Sequence, residues 1–361
     1  MGAAAAALSP AQTAEIRTAF IGVGIRGGSL VRQVLKQENV RITAICDSDP
    51  QARDGGLTMA QRDNPRGFSD YRAMLDFKDI DAVYIATPCD LHSPMTVACL
   101  QAGKHVYCEK PLGITPEQVQ QAYDAAKKAS TVFQIGQQLR YMPRFREAIR
   151  QIQEEKVAGQ TFVIKAQRHS TPPEQGKERA RPQWYLDVKR SGDLIVENAV
   201  HNIDVCNWVA NSRPVSAYGF GKKYLPTPVA AGTVMMDGFS VQYIYENEMQ
   251  LDYSQLYLHP RALKDLQNNQ WYMIFGEKGT VDLSKGLFYP MHADAPREIV
   301  KPEIMKANEN AISEFYSAIR EKRRPFADAT VGAVAALTTI MGREAIYRKR
   351  MVTWKELGAR V

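Results

Sequence analysis

Lys110 stands between Glu109 and Pro111, and Glu197 precedes His201 by four residues. A lysine ammonium can hold a developing oxyanion, and an imidazole that titrates near neutrality can take a proton from an alcohol. Residues four apart on a helix share a face, so a carboxylate at 197 can fix the tautomer of the His201 ring or bind a substrate hydroxyl. The chain also carries Gly22-Val23-Gly24-Ile25-Arg26-Gly27, and Asp47 follows the last of these glycines by twenty residues. In such a pattern the first glycine permits a tight turn, the second lets backbone approach a pyrophosphate, and the third allows a helix to lie close on a strand. The start of that helix offers N–H groups to phosphates, and a carboxylate at the end of the second strand can accept from both ribose hydroxyls. A dinucleotide pocket with a proton-handling lysine and histidine points to hydride transfer. A carboxylate at 47 repels a 2′-phosphate, which favours NAD over NADP, and Arg53 is the nearby residue that would rescue such a phosphate.

Each group also has a plainer reading. Glycine turns with a capping aspartate occur in unrelated α/β domains, Lys110 can be a surface lysine at a strand end, and Glu197 and His201 can simply pair on a helix. A metal centre is the competing functional reading, with Asp204 as a further ligand. Zinc and iron sites usually take at least three protein ligands, and no dense His/Cys cluster accompanies these residues. No metal is expected.

These side chains meet only if strands and helices bring them together. Residues 17–21 read as an apolar strand running into the glycine turn, followed by Leu30, Val31, Val34 and Leu35 at helical spacing. Val40–Cys46 is a second strand closing on Asp47, and 50–62 an irregular helix. Residues 82–86 form a buried strand ending at Thr87-Pro88, 92–102 a helix, and 106–108 a strand ending at Glu109-Lys110-Pro111, where the proline fixes the local backbone and admits a cis peptide. Thr115-Pro116-Glu117-Gln118 carries the signature of a helix start, with an N-cap threonine, proline at the first position and glutamine completing a capping box. Another strand is expected at 132–135. Strands alternating with helices imply a parallel, doubly wound sheet, with ligands outside the carboxyl ends of its strands. Beyond residue 141 the pattern changes to a helix at 144–156, strands at 161–168, 240–245, 271–275 and 280–283, and closing helices at 309–322 and 331–347.

The expected fold is therefore α/β: a Rossmann doubly wound parallel sheet over 17–141, then an α+β domain with an open, largely antiparallel sheet over 142–361 for substrate binding and oligomerisation. Residues 1–16 read as a flexible lead-in or a trimmed export signal. A chain of 361 residues can bury a large core, and 45% hydrophobic with 24% charged residues is the composition of an ordinary globular protein. The longest apolar runs, 3–8 and 331–341, fall short of the roughly 20 residues that span a bilayer, so no membrane segment is expected. The net charge of +7 invites a nucleic-acid reading. Its densest stretches, 320–324 and 348–350, fall where helices should end, and cations are favoured there by the helix dipole and by solvent. No nucleic-acid motif lies beside them. The five cysteines are odd in number and lack Cys-x-x-Cys spacing, and Cys46, Cys108 and Cys206 read as small buried hydrophobes. The alanine run near the N-terminus looks like the tail of a secretion signal without its charged start. The expected location is cytoplasmic, or periplasmic if that run is a trimmed export signal.

The motifs in this order resemble the Gfo/Idh/MocA family, which includes glucose–fructose oxidoreductase and inositol dehydrogenase. Residues 68–75, 81–88 and Ala102-Gly103-Lys104-His105-Val106-Tyr107-Cys108-Glu109-Lys110-Pro111-Leu112 are similar to it almost without interruption. The resemblance is strong over 17–145, resumes at 191–208 and in the closing helices from 308, and is only generic over 213–305. It implies that Lys110 is the catalytic lysine and that His201 is the histidine of an Asp-x-x-x-His pattern. Glu197 departs from that pattern, reaching one methylene further than aspartate, and Ala199 stands where glycine is frequent.

The expected catalytic residues are Lys110, His201 and Glu197. Expected at the cofactor are Gly22, Gly24, Ile25, Arg26, Gly27, Asp47, Thr87, Pro88, His92, Glu109, Lys110 and Gln138. Expected at the substrate are Lys110, Arg140, Tyr141, His169, Trp184, Glu197, Asn198 and His201, with Gln137 and Tyr185 beside them. The resemblance implies an NAD-dependent oxidoreductase that moves hydride from a ring hydroxyl of a sugar or glycoside, at C3, to give a keto sugar. It also implies a homo-oligomer built through the C-terminal sheet. A second reading is a glycosidase that uses NAD for transient oxidation, eliminates the aglycone and re-reduces the sugar; it needs a further base, for which Tyr141 and His169 are candidates. A third is a non-catalytic dinucleotide sensor, against which the retention of both Lys110 and His201 argues.

Overall fold

The structure, a computed structural model, describes residues 14–171, 182–225, 235–260, 262, 269–308 and 310–361. The alanine run at 3–8 and Glu309 lie outside them. Strands β1 (Ile16–Ile21), β2 (Val40–Cys46), β3 (Arg66–Phe68), β4 (Ala82–Ile85), β5 (His105–Cys108) and β6 (Phe133–Ile135) form one sheet in the order β3-β2-β1-β4-β5-β6. Every pairing in it is parallel. Such a sheet is covered on both faces, so its strands are apolar at successive positions rather than alternate ones. Ala82, Val83, Tyr84 and Ile85 are all fully buried. The strand order reverses between β1 and β4, which opens a crevice at their carboxyl ends. The helix Ile25–Val34 buries Leu30, Val31 and Val34 as their spacing predicts. At Pro116–Lys128 only half of the expected capping box forms. Thr115 accepts the Gln118 N–H, but the Gln118 side chain accepts from Ile114, one residue before the cap.

The second sheet holds β7 (Thr161–His169), β8 (Pro214–Lys222), β9 (Gly238–Tyr245), β10 (Gln250–Leu256), β11 (Asn269–Gly276), β12 (Gly279–Asp282), β13 (Leu287–Pro290), β14 (Arg297–Glu298) and β15 (Val352–Thr353). Its order is β14-β13-β12-β11-β7-β10-β9-β8-β15, antiparallel except where β7 and β10 run side by side in parallel. Period-two alternation sets its faces. On β9, Phe239, Val241, Tyr243 and Tyr245 are buried, while Ser240, Gln242 and Ile244 point away from the core. The buried face lies against the helices Val200–Ala210 and Ala329–Arg348. The other face leaves Phe162, Tyr218, Phe220 and Ile244 exposed.

The closing helices bind the two sheets to each other. Ala311–Arg320 lies far along the chain yet packs on the first sheet, with Phe315 edge-on to Tyr84 and Tyr107 and the Tyr316 hydroxyl 3.1 Å from that of Thr18. Ala329–Arg348 meets β6 through Gly332 and Ile135, and β9 through Gly342 and Tyr243.

A β-carbon at Gly342 would lie 2.1 Å from the Tyr243 hydroxyl, whereas one at Gly55 meets nothing within 4 Å. Gly342→Ala is therefore expected to lose about 1–3 kcal/mol through overpacking. Gly55→Ala, inside Pro50–Met59, should gain about 0.5–1 kcal/mol. Urea unfolding of both variants is the measurement, and a neutral Gly342→Ala would contradict this seating of the helix on the sheet.

Candidate active site

The glycine turn joins β1 to Ile25–Val34. Gly22 has φ +84, and a β-carbon there would sit 2.7 Å from the Ala86 carbonyl oxygen. One at Gly27 would sit 2.0 Å from the Gly22 carbonyl oxygen, but one at Gly24 would meet nothing. Two of the glycines are thus demanded by the protein itself, and the third borders open space at the start of a helix that has no side-chain cap. That geometry fits a pyrophosphate laid against the turn. Asp47 is fixed beside it, its two oxygens accepting the N–H groups of Val23 (2.9 Å) and Asp49 (3.0 Å). Arg53 pairs with Asp54 at 3.5 Å.

Arg26 and Gln138, both expected at the cofactor, are tied together with Glu109. The Arg26 guanidinium donates to Glu109 at 2.7 Å and to Gln138 at 2.9 Å. Thr87 and Pro88 follow the end of β4. His92 is buried, with its ring nitrogens 2.7 Å from the Pro111 carbonyl and 2.9 Å from that of Thr87. A neutral ring carries one N–H, so it donates to one of these two carbonyls. Burial lowers its pKa against the pull of those two carbonyls. The Lys110–Pro111 peptide is cis.

Lys110 emerges from β5 and meets the second half of the chain. Its ammonium donates to the Glu197 carboxylate at 2.8 Å and to the Glu197 carbonyl at 2.5 Å. Both side chains are about nine-tenths buried, with 11% and 10% exposure. Burial disfavours the ammonium, but the adjoining carboxylate outweighs it and the Lys110 pKa is raised. The expected single helix through Glu197 and His201 is not formed. Leu194–Glu197 ends in a wide turn, where the Ala199 N–H reaches back five residues to Leu194, and Val200–Ala210 begins anew. Glu197 turns to Lys110 instead of His201. The His201 ring is partly open, yet its Nδ1 is buried with no hydrogen-bond partner among the described residues. Burial, then the charges of Lys110, Arg168 and Arg26, hold its pKa well below the usual 6.5.

The second sheet supplies the next layer. His169 ends β7 with its Nε2 3.0 Å from the Ser254 hydroxyl, and the Asn198 side-chain oxygen Oδ1 accepts from the Gln255 amide at 2.8 Å. Trp184 lies edge-on to Tyr185. Gln137 is buried, its Oε1 without a partner among the described residues.

Two expected substrate residues are engaged inside the fold. Arg140 makes a two-pronged pair with Asp204 at 2.8 and 2.9 Å beneath the Trp208 ring. This pairing also takes Asp204 away from any ligand set with Glu197 and His201. Tyr141 is fully buried, its hydroxyl accepts the Ala327 N–H, and burial raises its pKa, so it is not placed to act as a base.

Two residues with a bearing on the site were not singled out by their spacing. Arg168 lies beside His169 at the end of β7, and its charge acts on His201. Asp193 holds φ +81, a conformation that costs a non-glycine residue about 1–3 kcal/mol. Its carboxylate accepts from Leu194, Met236 and the Tyr347 hydroxyl, bracing the segment that leads to Glu197. The two distant donors, Met236 and Tyr347, carry no signal in the local sequence.

Residues 16–137 match the family described as "Oxidoreductase family, NAD-binding Rossmann fold", and residues 146–282 match "GFO/IDH/MocA C-terminal domain". The chain belongs to the Gfo/Idh/MocA family of oxidoreductases, as its motifs led us to expect, and residues 16–137 are its NAD-binding Rossmann unit. It is 28% identical over 211 residues to the oxidoreductase YrbE of Bacillus subtilis, spanning 58% of each chain. It is 37% identical over 120 residues to an alpha-N-acetylgalactosaminidase of Shewanella oneidensis, spanning 31% of this chain and 26% of that one. It thus spans less than two thirds of these curated relatives. Among solved structures it superposes on levoglucosan dehydrogenase in complex with NADH with a TM-score of 0.77 at 20% identity, covering 94% of this chain and 99% of that one.

Burial lowers the pKa of His92, His105 and His201. The unfolded chain takes up protons near pH 6.5 that the folded chain refuses, so stability is full above that pH and falls as pH drops towards the folded pKa values. Each such histidine contributes a slope of up to about 1.4 kcal/mol per pH unit. Unfolding midpoints measured from about pH 7.5 down to about pH 5 should show this fall, and His201→Asn should make it shallower. An unchanged slope in that variant would mean that His201 protonates freely in the fold.

Proposed function

We propose that the chain is an NAD-dependent dehydrogenase that removes hydride from a ring hydroxyl of a sugar or glycoside, at C3, giving a keto sugar. The observation that carries this reading is a charged lysine held by Glu197, beside a histidine kept neutral by burial, at the carboxyl ends of the Rossmann strands. NAD, when bound, supplies the hydride acceptor. Lys110 holds the reacting oxygen and stabilises the negative charge that grows on it. His201, unprotonated at pH 7, takes the hydroxyl proton. Glu197 positions Lys110 and keeps it charged, rather than orienting the imidazole. Preference for NAD over NADP rests on Asp47, fixed beside the glycine turn.

A polyhydroxylated ring needs donors and acceptors beside a flat apolar surface. His169 with Ser254, Asn198 with Gln255, and the Trp184 ring offer that combination. A sugar substrate is supported by family membership and by levoglucosan dehydrogenase, which has also been solved with levoglucosan. In this reading residues 17–141 carry the cofactor and 142–361 the substrate. The exposed Phe162, Tyr218 and Phe220 on the second sheet support association between copies through that face. Five buried, unpaired cysteines support a cytoplasmic location. Among the described residues no helix is long and apolar enough to cross a membrane.

The likeness to the alpha-N-acetylgalactosaminidase favours a second reading, a glycosidase working through transient oxidation. Its additional base would be His169, whose lowered pKa keeps the ring unprotonated; Tyr141 is too deeply buried for the task.

Lys110→Ala and His201→Ala are each expected to lose about 10²–10⁴-fold in turnover while still binding NAD. Near-normal turnover in His201→Ala would remove it from the base role. Substrate position is tested with NAD and glucosides deuterated singly at C2, C3 or C4, following label into the reduced cofactor. Transfer from C3 is expected. Transfer from C2 or C4 would overturn that choice, and release of aglycone with the sugar returned unoxidised would favour the glycosidase.

A further inference from the structure

The basic stretch Arg320-Glu321-Lys322-Arg323-Arg324 does more than end a helix. Its Lys322, Arg323 and Arg324, with Lys127, border a cavity of about 640 Å³ at the amino-terminal ends of β5 and β6. The sheet is parallel, so this edge is opposite the one that carries the glycine turn. The two arginines are already answered by carboxylates: Arg323 by Glu314 at 2.8 Å and by Glu321, and Arg324 by Asp328 at 3.0 Å. Lys127 and Lys322 have no carboxylate partner among the described residues, although the Lys127 ammonium lies 5.9 Å from the Tyr123 ring. The helices Pro116–Lys128 and Ala311–Arg320 both end here. Their ends carry about half a negative charge each, enough to answer about one of the two lysines.

Neutral donors complete the lining. The Thr131 hydroxyl oxygen is buried and has no hydrogen-bond partner among the described residues. The His105 Nδ1 accepts the Val132 N–H at 2.9 Å, which leaves Nε2 as the protonated nitrogen of the neutral ring. Lys322 adopts φ +52 at a helix end where glycine is the ordinary choice, so the backbone alone does not favour a side chain there. The lining holds one carboxylate, Asp328, which Arg324 already engages, so a wall of these two ammonium groups with uncharged O–H and N–H donors suits an acceptor-rich anion. Its volume is within the range of small-molecule sites.

We propose that this cavity binds a small phosphate-bearing anion through Lys127, Lys322, Thr131 and His105, at a site separate from the dinucleotide. The proposal is independent of the reaction assigned above.

The test is calorimetric titration of inorganic pyrophosphate into the full chain saturated with NAD, so that the glycine turn is not available to it. Saturable binding is expected, weakening as salt is raised. In Lys127→Ala/Lys322→Gly it should be at least about tenfold weaker, given the strength of charge-assisted hydrogen bonds. The glycine suits the left-handed backbone, so that variant should keep its thermal midpoint and its NAD affinity. Thr131→Val should weaken binding by a smaller factor. Absence of saturable binding to the NAD-loaded protein would overturn the proposal, as would undiminished affinity in the double variant.

Discussion

The contact between Lys110 and Glu197 is the constraint on which the site depends. It joins residues 87 positions apart, one at the end of a Rossmann strand and the other on a short helix of the second segment. A buried ammonium is costly unless a carboxylate and further acceptors meet it, and removing one partner of such a pair leaves an uncompensated charge. Here the Glu197 side chain and its own carbonyl both meet the ammonium. The pair therefore sets the charge of Lys110, and that charge adds to burial, the larger cause, in keeping His201 unprotonated.

Holding that pair requires that both halves be rigid where they meet. On one side, the buried His92 ring packs between the carbonyls of Thr87 and Pro111, and the Gly22 turn leaves no room for a side chain against Ala86. On the other, Asp193 trades an unfavourable backbone conformation for hydrogen bonds to Leu194, Met236 and Tyr347. The closing helices supply the common frame. Ala311–Arg320 lies on the aromatic cluster of the first sheet, and Ala329–Arg348 touches both sheets. These two helices thus fix the first sheet relative to the second.

Polar residues near the site divide by what else can satisfy them. Arg140 and Tyr141 have the chemistry of substrate contacts, but a buried carboxylate and a backbone N–H meet them first. His169 and Asn198 pair with single side chains of β10 at the end of the second sheet. A buried donor is driven to a protein partner whenever one is within reach, because leaving it unsatisfied costs about 1–3 kcal/mol. Composition therefore cannot separate a contact for substrate from a brace within the fold.

The sequence by itself determined the class of protein: the glycine turn, Asp47, the Glu109-Lys110-Pro111 strand end and the alternation of strands and helices were all readable. Each is local, set by backbone geometry or short-range periodicity, and each was found where expected, with element ends moved by a few residues at most. The second sheet was legible only as strand-like runs, since its parallel β7–β10 pairing joins strands about 90 residues apart along the chain. The partner of Glu197 was decided by tertiary structure alone. Helical spacing offered His201, but the helix breaks at Asn198 and Ala199, and a buried lysine from the other sheet needs the charge more than a neutral ring does. Local sequence fixes which groups are carried to the crevice, while desolvation in the assembled core decides which of them pair.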